Sequence, residues 1–398
     1  MSVDMACLGD VGEFIRGITY KPSDVLTGAE ASAIPCLRTK NIQEFLEDDD
    51  LVYVPRELVQ SEKIVRAGDI LVSSANSWNL VAKCCWVPKL SYQATFGGFT
   101  SILRAKGPRI DARYLYRWFS SSRVQAMARS FGQQTTNISN LNHKRCLDLE
   151  IPLPPLDEQK RIAAILDKAD QLRQKRRQAI ALLDSLTQSI FLEMFGNPAS
   201  NSRKFPLVPL SDLINPKDRL NYGVVQPGDG LENGVPLIRI SDLKNGAVDR
   251  SALKHIDPRI SNKHSKSVLN GHEILISCVG SIGEIALASN ADRGSNVARA
   301  VARVPLREDV SREFVAAYLR TDAVQNYFTK ELRTVSQPTL NIKQISETLI
   351  PLVNPEEAQR FEEKLRLHRK LKKTQNLQLA ETEAMFHSIQ HRAFSGQL

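Results

Sequence analysis

Between residues 151 and 190 the pattern of apolar and polar positions changes character twice. The stretch "IPLPPL" (151–156) sets three prolines among apolar residues. It ends whatever element precedes it, because proline fixes φ and lacks a backbone donor. Asp157 and Glu158 follow, and acidic residues suit the first turn of a helix. From there Ile162, Ile165, Ala169, Leu172, Arg176, Ala179, Leu183, Leu186 and Ile190 recur at alternating steps of three and four, all apolar but Arg176. Such a narrow stripe predicts a coiled-coil seam rather than the broader face of a globular helix. Gly196-Asn197-Pro198 ends it. A second helix is predicted from about 355 to 394. Phe361, Leu365, Leu371, Leu379, Met385, Ile389 and Phe394 carry its seam, with His368 and Gln375 near the interface. Two exposed seams are best satisfied by antiparallel packing of the two helices on each other; each helix folding onto its own domain is the alternative.

The chain also repeats itself. Continuous apolar runs at Ile70-Leu71-Val72 and Ile274-Leu275-Ile276 predict two short buried strands. They lie within "GDILVSSANSWNLVA" (68–82) and "HEILISCVGSIGEIA" (272–286), which align at an offset of 204. "IPCLRTKNI" (34–42) matches "VPLIRISDL" at offset 201, "FSSSRVQ" (119–125) matches "LRTDAVQ" at 200, and "NLNHKRCLDLEIPLP" from Asn140 matches "TLNIKQISETLIPLV" at 199. Order kept across loop-sized drifts marks a duplicated unit. Asn76 and Asn79 fall opposite Gly280 and Gly283. Asn best replaces Gly at positive φ, so both copies are expected to make the same turn. Between these anchors the copies share nothing, which suggests like frames presenting unlike surfaces. The expected organisation is a first domain over 1–153, a central helix over 154–197, a second domain over 198–352 and a terminal helix over 353–398.

Composition narrows the class. The 398 residues are 42% hydrophobic and 24% charged, as in an ordinary globular protein. The net charge of +9 fits a polyanion partner without proving one. The two helical segments hold fifteen basic and twelve acidic residues, so +6 of the surplus lies elsewhere. "RQKRR" (173–177) and "LRLHRKLKK" (365–373) are expected to be solvated helix faces. Six cysteines without a CxxC pair read as reduced thiols, and seven histidines without HExxH suggest no metal site. The first residues carry early acids and no apolar core of a signal peptide, and "ILISCVGSIGEIALA" (274–288) is too short and interrupted to span a membrane, so a cytoplasmic protein is expected. An enzyme is disfavoured. There is no Asn-Pro-Pro-aromatic, GxGxxG or GxxxxGK[ST] motif, and Glu362-Glu363-Lys364 after Pro355-Glu356 only faintly mimics a nuclease pattern on a helix.

The "IPLPPLDEQ" entry to the central helix, the "GDILVS" and "GSIGE" turns, and "LNIK" resemble the specificity subunit of type I restriction–modification enzymes across essentially the whole chain. The resemblance implies two tandem target-recognition domains of α/β (α+β) class, separated by two long antiparallel coiled-coil helices. Each domain would read one half of a split site in double-stranded DNA, the helices setting the unread gap. It implies no catalytic centre and no bound cofactor on this chain. Two modification (methyltransferase) subunits with S-adenosylmethionine, and restriction subunits using ATP and Mg, are the implied partners; no membrane is involved. Departures are the missing glycines in the first "SSANSWN" turn and "IPLVNPEEAQ" in place of a second DEQ entry. A coiled-coil adaptor without DNA specificity is the rival reading.

DNA-contact candidates follow from side chains able to reach phosphates or base edges. Arg38, Lys40 and Asn41 follow one strand, and Arg239 follows its counterpart; a plain strand end is the bland reading of both. Lys244 sits in a Lys-Asn-Gly turn. Asn76, Asn79 and Ser281 lie in the paired turns, Gln134 and Gln337 in amide-rich loops, and Asn296, Arg299 and Arg303 in the second insert. Trp78 could wedge against DNA, though a buried tryptophan is the commoner outcome. The arginines of "RYLYRWFSSSRVQAMAR" (113–129) are expected on a packed helix with a solvated edge rather than a phosphate face.

Overall fold

The computed structural model describes residues 4–28, 32–134, 138–332 and 338–397, with the side chains of 133, 134, 184 and 185 set aside. The chain divides into two compact units, Met1–Arg177 with Leu377–Leu398, and Gln178–Asn376. Each unit holds one globular head and a part of each long helix.

In unit 1 a four-stranded antiparallel sheet runs in the order Gly12–Arg16, Thr100–Ala105, Ile70–Ser73, Cys84–Trp86. Alternation along Ile70–Val72 splits the core, because successive side chains leave a strand on opposite faces. Ile70 and Val72 meet helix α1 (Ala112–Phe119) and helix α2 (Ser122–Ser130). Leu71 meets Leu37 and Phe96 of a second, three-stranded sheet. Unit 2 repeats this plan. Ile274 and Ile276 face α5 (Arg312–Leu319) and α6 (Asp322–Lys330), while Leu275 faces Ile238 and Val297. Asn142 and Asn341 cap matching five-residue helices, α3 (His143–Leu147) and α7 (Ile342–Ser346). Met5–Cys7 pairs with Glu150–Pro152 as Leu207–Pro209 pairs with Leu349–Pro351. Most strand pairs are antiparallel, so each head is α+β.

The paired turns depart from expectation. Gly280 and Gly283 do have positive φ, at 74° and 84°, but Asn76 and Asn79 do not; the position that does is Ala82, at 66°. The backbone explains this. Ala82 N–H bonds Ser73 O (2.9 Å) as Gly283 N–H bonds Ser277 O (3.0 Å). Ala82 is therefore the partner of Gly283. Residues 75–81 of the first turn stand where the second has only 279–282, so the ungapped alignment fails after Ser74.

The long helices are α4 (Leu156–Phe195) and α8 (Pro355–Phe394). At about 1.5 Å per residue each is roughly 60 Å long. Within unit 1 the Arg173 guanidinium lies 3.9 Å over the Phe386 ring, Arg176 bonds Gln378 (2.6 Å) and Arg177 pairs with Glu383 (2.7 Å). Within unit 2 His368 Nε2 donates to Leu183 O (2.6 Å), Phe191 meets Phe361, and Glu193 faces Lys364. In both units numbers rise along α4 as they fall along α8, which is antiparallel packing. The seam itself is shifted. Leu166, Arg173 and Thr187 lie inward, whereas Leu172 and Leu186, expected there, are 40% exposed. On α8, His368 is buried as expected, Thr382 and Phe386 join it, and Leu371 and Met385 are exposed. The "RQKRR" run is thus partly an interface rather than a solvated face. Heptad spacing survives, but polar side chains with partners occupy positions where a search for apolar residues chose the neighbour.

Among the described residues no helix is long and apolar enough to cross a membrane.

Candidate nucleic-acid interface

Three segments converge at the tip of each head. In unit 1 the N–H groups of Ser74 and Ala75 both donate to Phe99 O (2.9 and 3.1 Å), and Leu141 N–H donates to Ser74 O (2.8 Å). Ala75–Asn76 pairs with Ser139–Asn140. Turn 75–81, loop 97–99 and strand 139–140 therefore form one surface. In unit 2 Cys278 N–H bonds Ala300 O (2.8 Å), Leu340 N–H bonds Cys278 O (2.9 Å), and Val279 bridges Thr339. The same three segments meet there.

What each tip presents differs. Unit 1 offers Asn76, half-buried, whose Oδ1 accepts from Ser77 N–H (2.8 Å), together with exposed Asn79, Trp78 and Phe99. Trp78 is 52% exposed, against the expectation of burial, because the longer turn carries it beyond the core. Unit 2 offers Ser281 and Arg299, both exposed. Phe99, 68% exposed, had no polar signature to mark it in the sequence; only its place opposite the turn reveals it.

Several candidates serve the fold instead. Asn41 is 1% exposed; its Oδ1 accepts from Arg38 N–H (2.8 Å) and its Nδ2 donates to Glu47 O (2.7 Å), closing the turn after the strand. Asp242 closes the equivalent turn and holds Arg239 through backbone and guanidinium. Asn296 is fully buried, its amide donating to Ser267 Oγ (2.9 Å) and His264 O (3.2 Å). Arg303 is buried between Glu273 and Asp218. These correct the reading of Asn41, Asn296 and Arg303 as DNA contacts, since a buried, bonded group cannot reach a ligand without losing its partners.

Other candidates are half-buried or exposed, but paired. Arg38 and Lys40 both face Asp50, within the acidic run 47–50. Lys244 bonds Asp249 (2.8 Å), whose carboxyl is held well below the usual range chiefly by that lysine. Lys244 precedes an Asn245-Gly246 turn with positive φ at both residues, the expected hairpin chemistry. Gln134 belongs to a strand pairing with Ser139, but its side chain lies outside the described set, and Gln337 lies outside the described residues.

The arginines of α1 turn inward. Arg113 and Arg117 pair with Asp167 of α4, and Arg117 also with Asp170. Gln159 of the "DEQ" entry is fully buried: its Nε2 donates to Arg109 O (2.9 Å) and Pro154 O (2.8 Å), and its Oε1 accepts from Asp111 N–H (2.8 Å). The entry motif thus clamps α4 to head 1. Ala358 takes this place in unit 2, where Glu362 instead accepts from Ser311, the cap of α5.

Burial pushes Cys36, Cys85, Cys146 and Cys278 up to about 12, away from thiolate chemistry. Burial and then the charge of Arg16 pull His143 down to about 4, where it sits between Ser74 Oγ (3.2 Å) and Ser101 Oγ (3.1 Å) under Phe14. Among the described residues no group of three or more His, Cys, Asp or Glu could hold a metal ion.

Comparison with known proteins agrees with the duplicated plan. The family of the type I restriction modification DNA specificity domain matches residues 2–182 and 214–381. The type I restriction enzyme EcoBI specificity subunit of Escherichia coli is 30% identical over 419 residues, covering 98% of this chain and 85% of the relative. The EcoKI specificity subunit of Escherichia coli (strain K12) is 24% identical, covering 99% and 89%. A chain solved in a study of complex assembly and conformational transition of the type I R-M system shares the fold, with a TM-score of 0.62 at 16% identity over the whole of both chains. The chain belongs to the type I restriction modification DNA specificity domain family.

Proposed function

We propose that this chain is the DNA sequence-recognition subunit of a type I restriction–modification complex, each unit reading one part of a split site. One observation carries the reading: two heads of one frame, joined by the same hydrogen bonds, present Trp78, Phe99 and amides at one tip and Ser281 and Arg299 at the other. Unlike tips on like frames suit unlike half-sequences. Lysines and arginines supply salt-dependent attraction to phosphates, while side chains at the tips discriminate bases.

The chain is, in this reading, not itself catalytic. Adenine methylation with S-adenosylmethionine belongs to two modification subunits, and ATP- and Mg-dependent cleavage to restriction subunits. The length of α4 between the repeats sets the number of unread base pairs.

The test uses the full chain assembled with its modification subunits. Binding to duplexes bearing the split site mapped from methylated adenines in cells should exceed binding to random duplexes at physiological salt, and weaken steeply as salt rises. Equal affinity for random duplexes would instead support an adaptor. Inserting one helical turn into α4 should change the gap in the methylated site and leave both half-sequences intact.

A further inference from the structure

The tip of unit 1 carries large apolar side chains that its own core does not need. Trp78 stands on the longer turn, Phe99 on the loop abutting it, and Leu80 and Ile138 are exposed on the same three segments. The double acceptance by Phe99 O from Ser74 and Ala75 ties the turn and the loop together. Beneath them Val72, Val81 and Ala82 close the core. A cluster of this kind on a protein surface marks a contact site.

Its surroundings indicate what is contacted. Residues 74–81, 97–101 and 138–146 contain no Asp or Glu, whereas Lys144 and Arg145 lie exposed on α3, directly after the strand that pairs with Ala75–Asn76. Asn76 and Asn79 lie on the same turn as Trp78, with the Asn76 Nδ2 donating to Ser73 Oγ (3.2 Å). Exposed rings on a turn and a loop free of carboxylates, with cations on the helix after the third segment, complement stacked bases between phosphates.

We propose that Trp78 and Phe99 form an aromatic wedge with which unit 1 presses into the base stack of its half-site and opens one base step, while Lys144 and Arg145 hold the flanking phosphates. This rests on the DNA-reading function proposed above. Unit 2 places Arg299 and Ala300 where unit 1 has Gly98 and Phe99, and Ser281 on its shorter turn. The distortion is therefore confined to one half of the site.

The experiment places 2-aminopurine in turn at the adenines in and beside each half-site and records its fluorescence with the full chain assembled with modification subunits. Unstacking raises the signal. Apart from the adenines that are methylated, which methyltransferases themselves flip out of the stack, a rise is expected at one step of the half-site read by unit 1 and nowhere in the other half. Trp78→Ala and Phe99→Ala should each abolish that rise and weaken specific binding roughly tenfold, the scale of losing one base–aromatic stack. Trp78→Phe should retain most of the signal, and thermal unfolding should be unchanged, because both residues are exposed. Alanine variants that keep the wild-type signal and affinity would overturn the wedge while leaving DNA reading intact. Loss of modification subunits from the alanine variants, measured by light scattering, would make the patch a protein-docking surface and also overturn it. A wild-type complex without sequence preference would overturn the function and the wedge together.

Discussion

The two units join head to helix with different chemistry. In unit 1 buried ion pairs are set into an apolar joint around Leu166 and Ala169: Arg117, 4% exposed, reaches Asp167 (2.6 Å) and Asp170 (2.9 Å), and Arg113 adds a second contact to Asp167 while its guanidinium lies over Trp86. In unit 2 the joint is a knot of rings. Phe191, Phe195, Phe314 and Phe361 pack with centroids 4.8–6.5 Å apart, and Tyr318 stacks beside them. Arg113 and Arg117 correspond to Glu313 and Ala317 at an offset of 200, so neither guanidinium has a counterpart. The lesson is that a duplicated frame preserves the joint and its geometry, not the interaction that closes it. Rings close it through buried volume. Charges close it only while every partner is present, since an uncompensated buried charge is costly.

This contrast can be broken from either side. Phe361→Ala should have the largest effect, about 3–5 kcal/mol of unfolding free energy, because a fully buried ring leaves a cavity its rigid neighbours cannot fill. Hydrogen exchange should rise at 191–195 and 312–319 while unit 1 stays protected; a uniform rise would show the rings do not act locally. Arg117→Leu should cost about 2 kcal/mol, the scale of lost charge-assisted hydrogen bonds, because Asp167 keeps Arg113 and Asp170 keeps Arg173. The double change Arg117→Leu, Asp170→Leu should cost more, because the largely buried Arg173 then loses its carboxylate, and a denaturant midpoint that recovers in the double variant would contradict this.

The smallest effect concerns His143. Its cluster with Ser74 and Ser101 is replaced in unit 2 by Ile342, Cys278 and Ala302. With a folded value of about 4 against an ordinary 6.5, the unfolded chain binds this proton first, so stability should fall as pH drops from about 6.5 towards 4. Grafting the unit 2 trio onto unit 1 (His143→Ile, Ser74→Cys, Ser101→Ala) should flatten that part of the stability profile. An unchanged slope would place the acid sensitivity elsewhere.

Legibility followed the reach of each physical signal. The repeat, the buried strands and both long helices stood out because they rest on local periodicity and on matched words such as "IPL" and "LN". The seam register did not. Leu172 and Arg173 compete for one inward position, and the arginine takes it because Phe386, far along the chain, lies under its guanidinium. Asn41 and Asn296 look like base readers by residue type alone, yet each has carbonyl partners within its own head. Phe99 carried no signal at all in one dimension.

The sequence by itself determined that this protein is one unit written twice, with a long helix after each copy, because strand runs, caps and proline stops act over a few residues. Only the tertiary structure decided which polar groups face inward and which aromatic residues stand at the tips. Those outcomes depend on partners elsewhere in the chain, from Glu47 beside Asn41 to Phe386 under Arg173, whose desolvation and hydrogen bonds are settled only when the chain has folded.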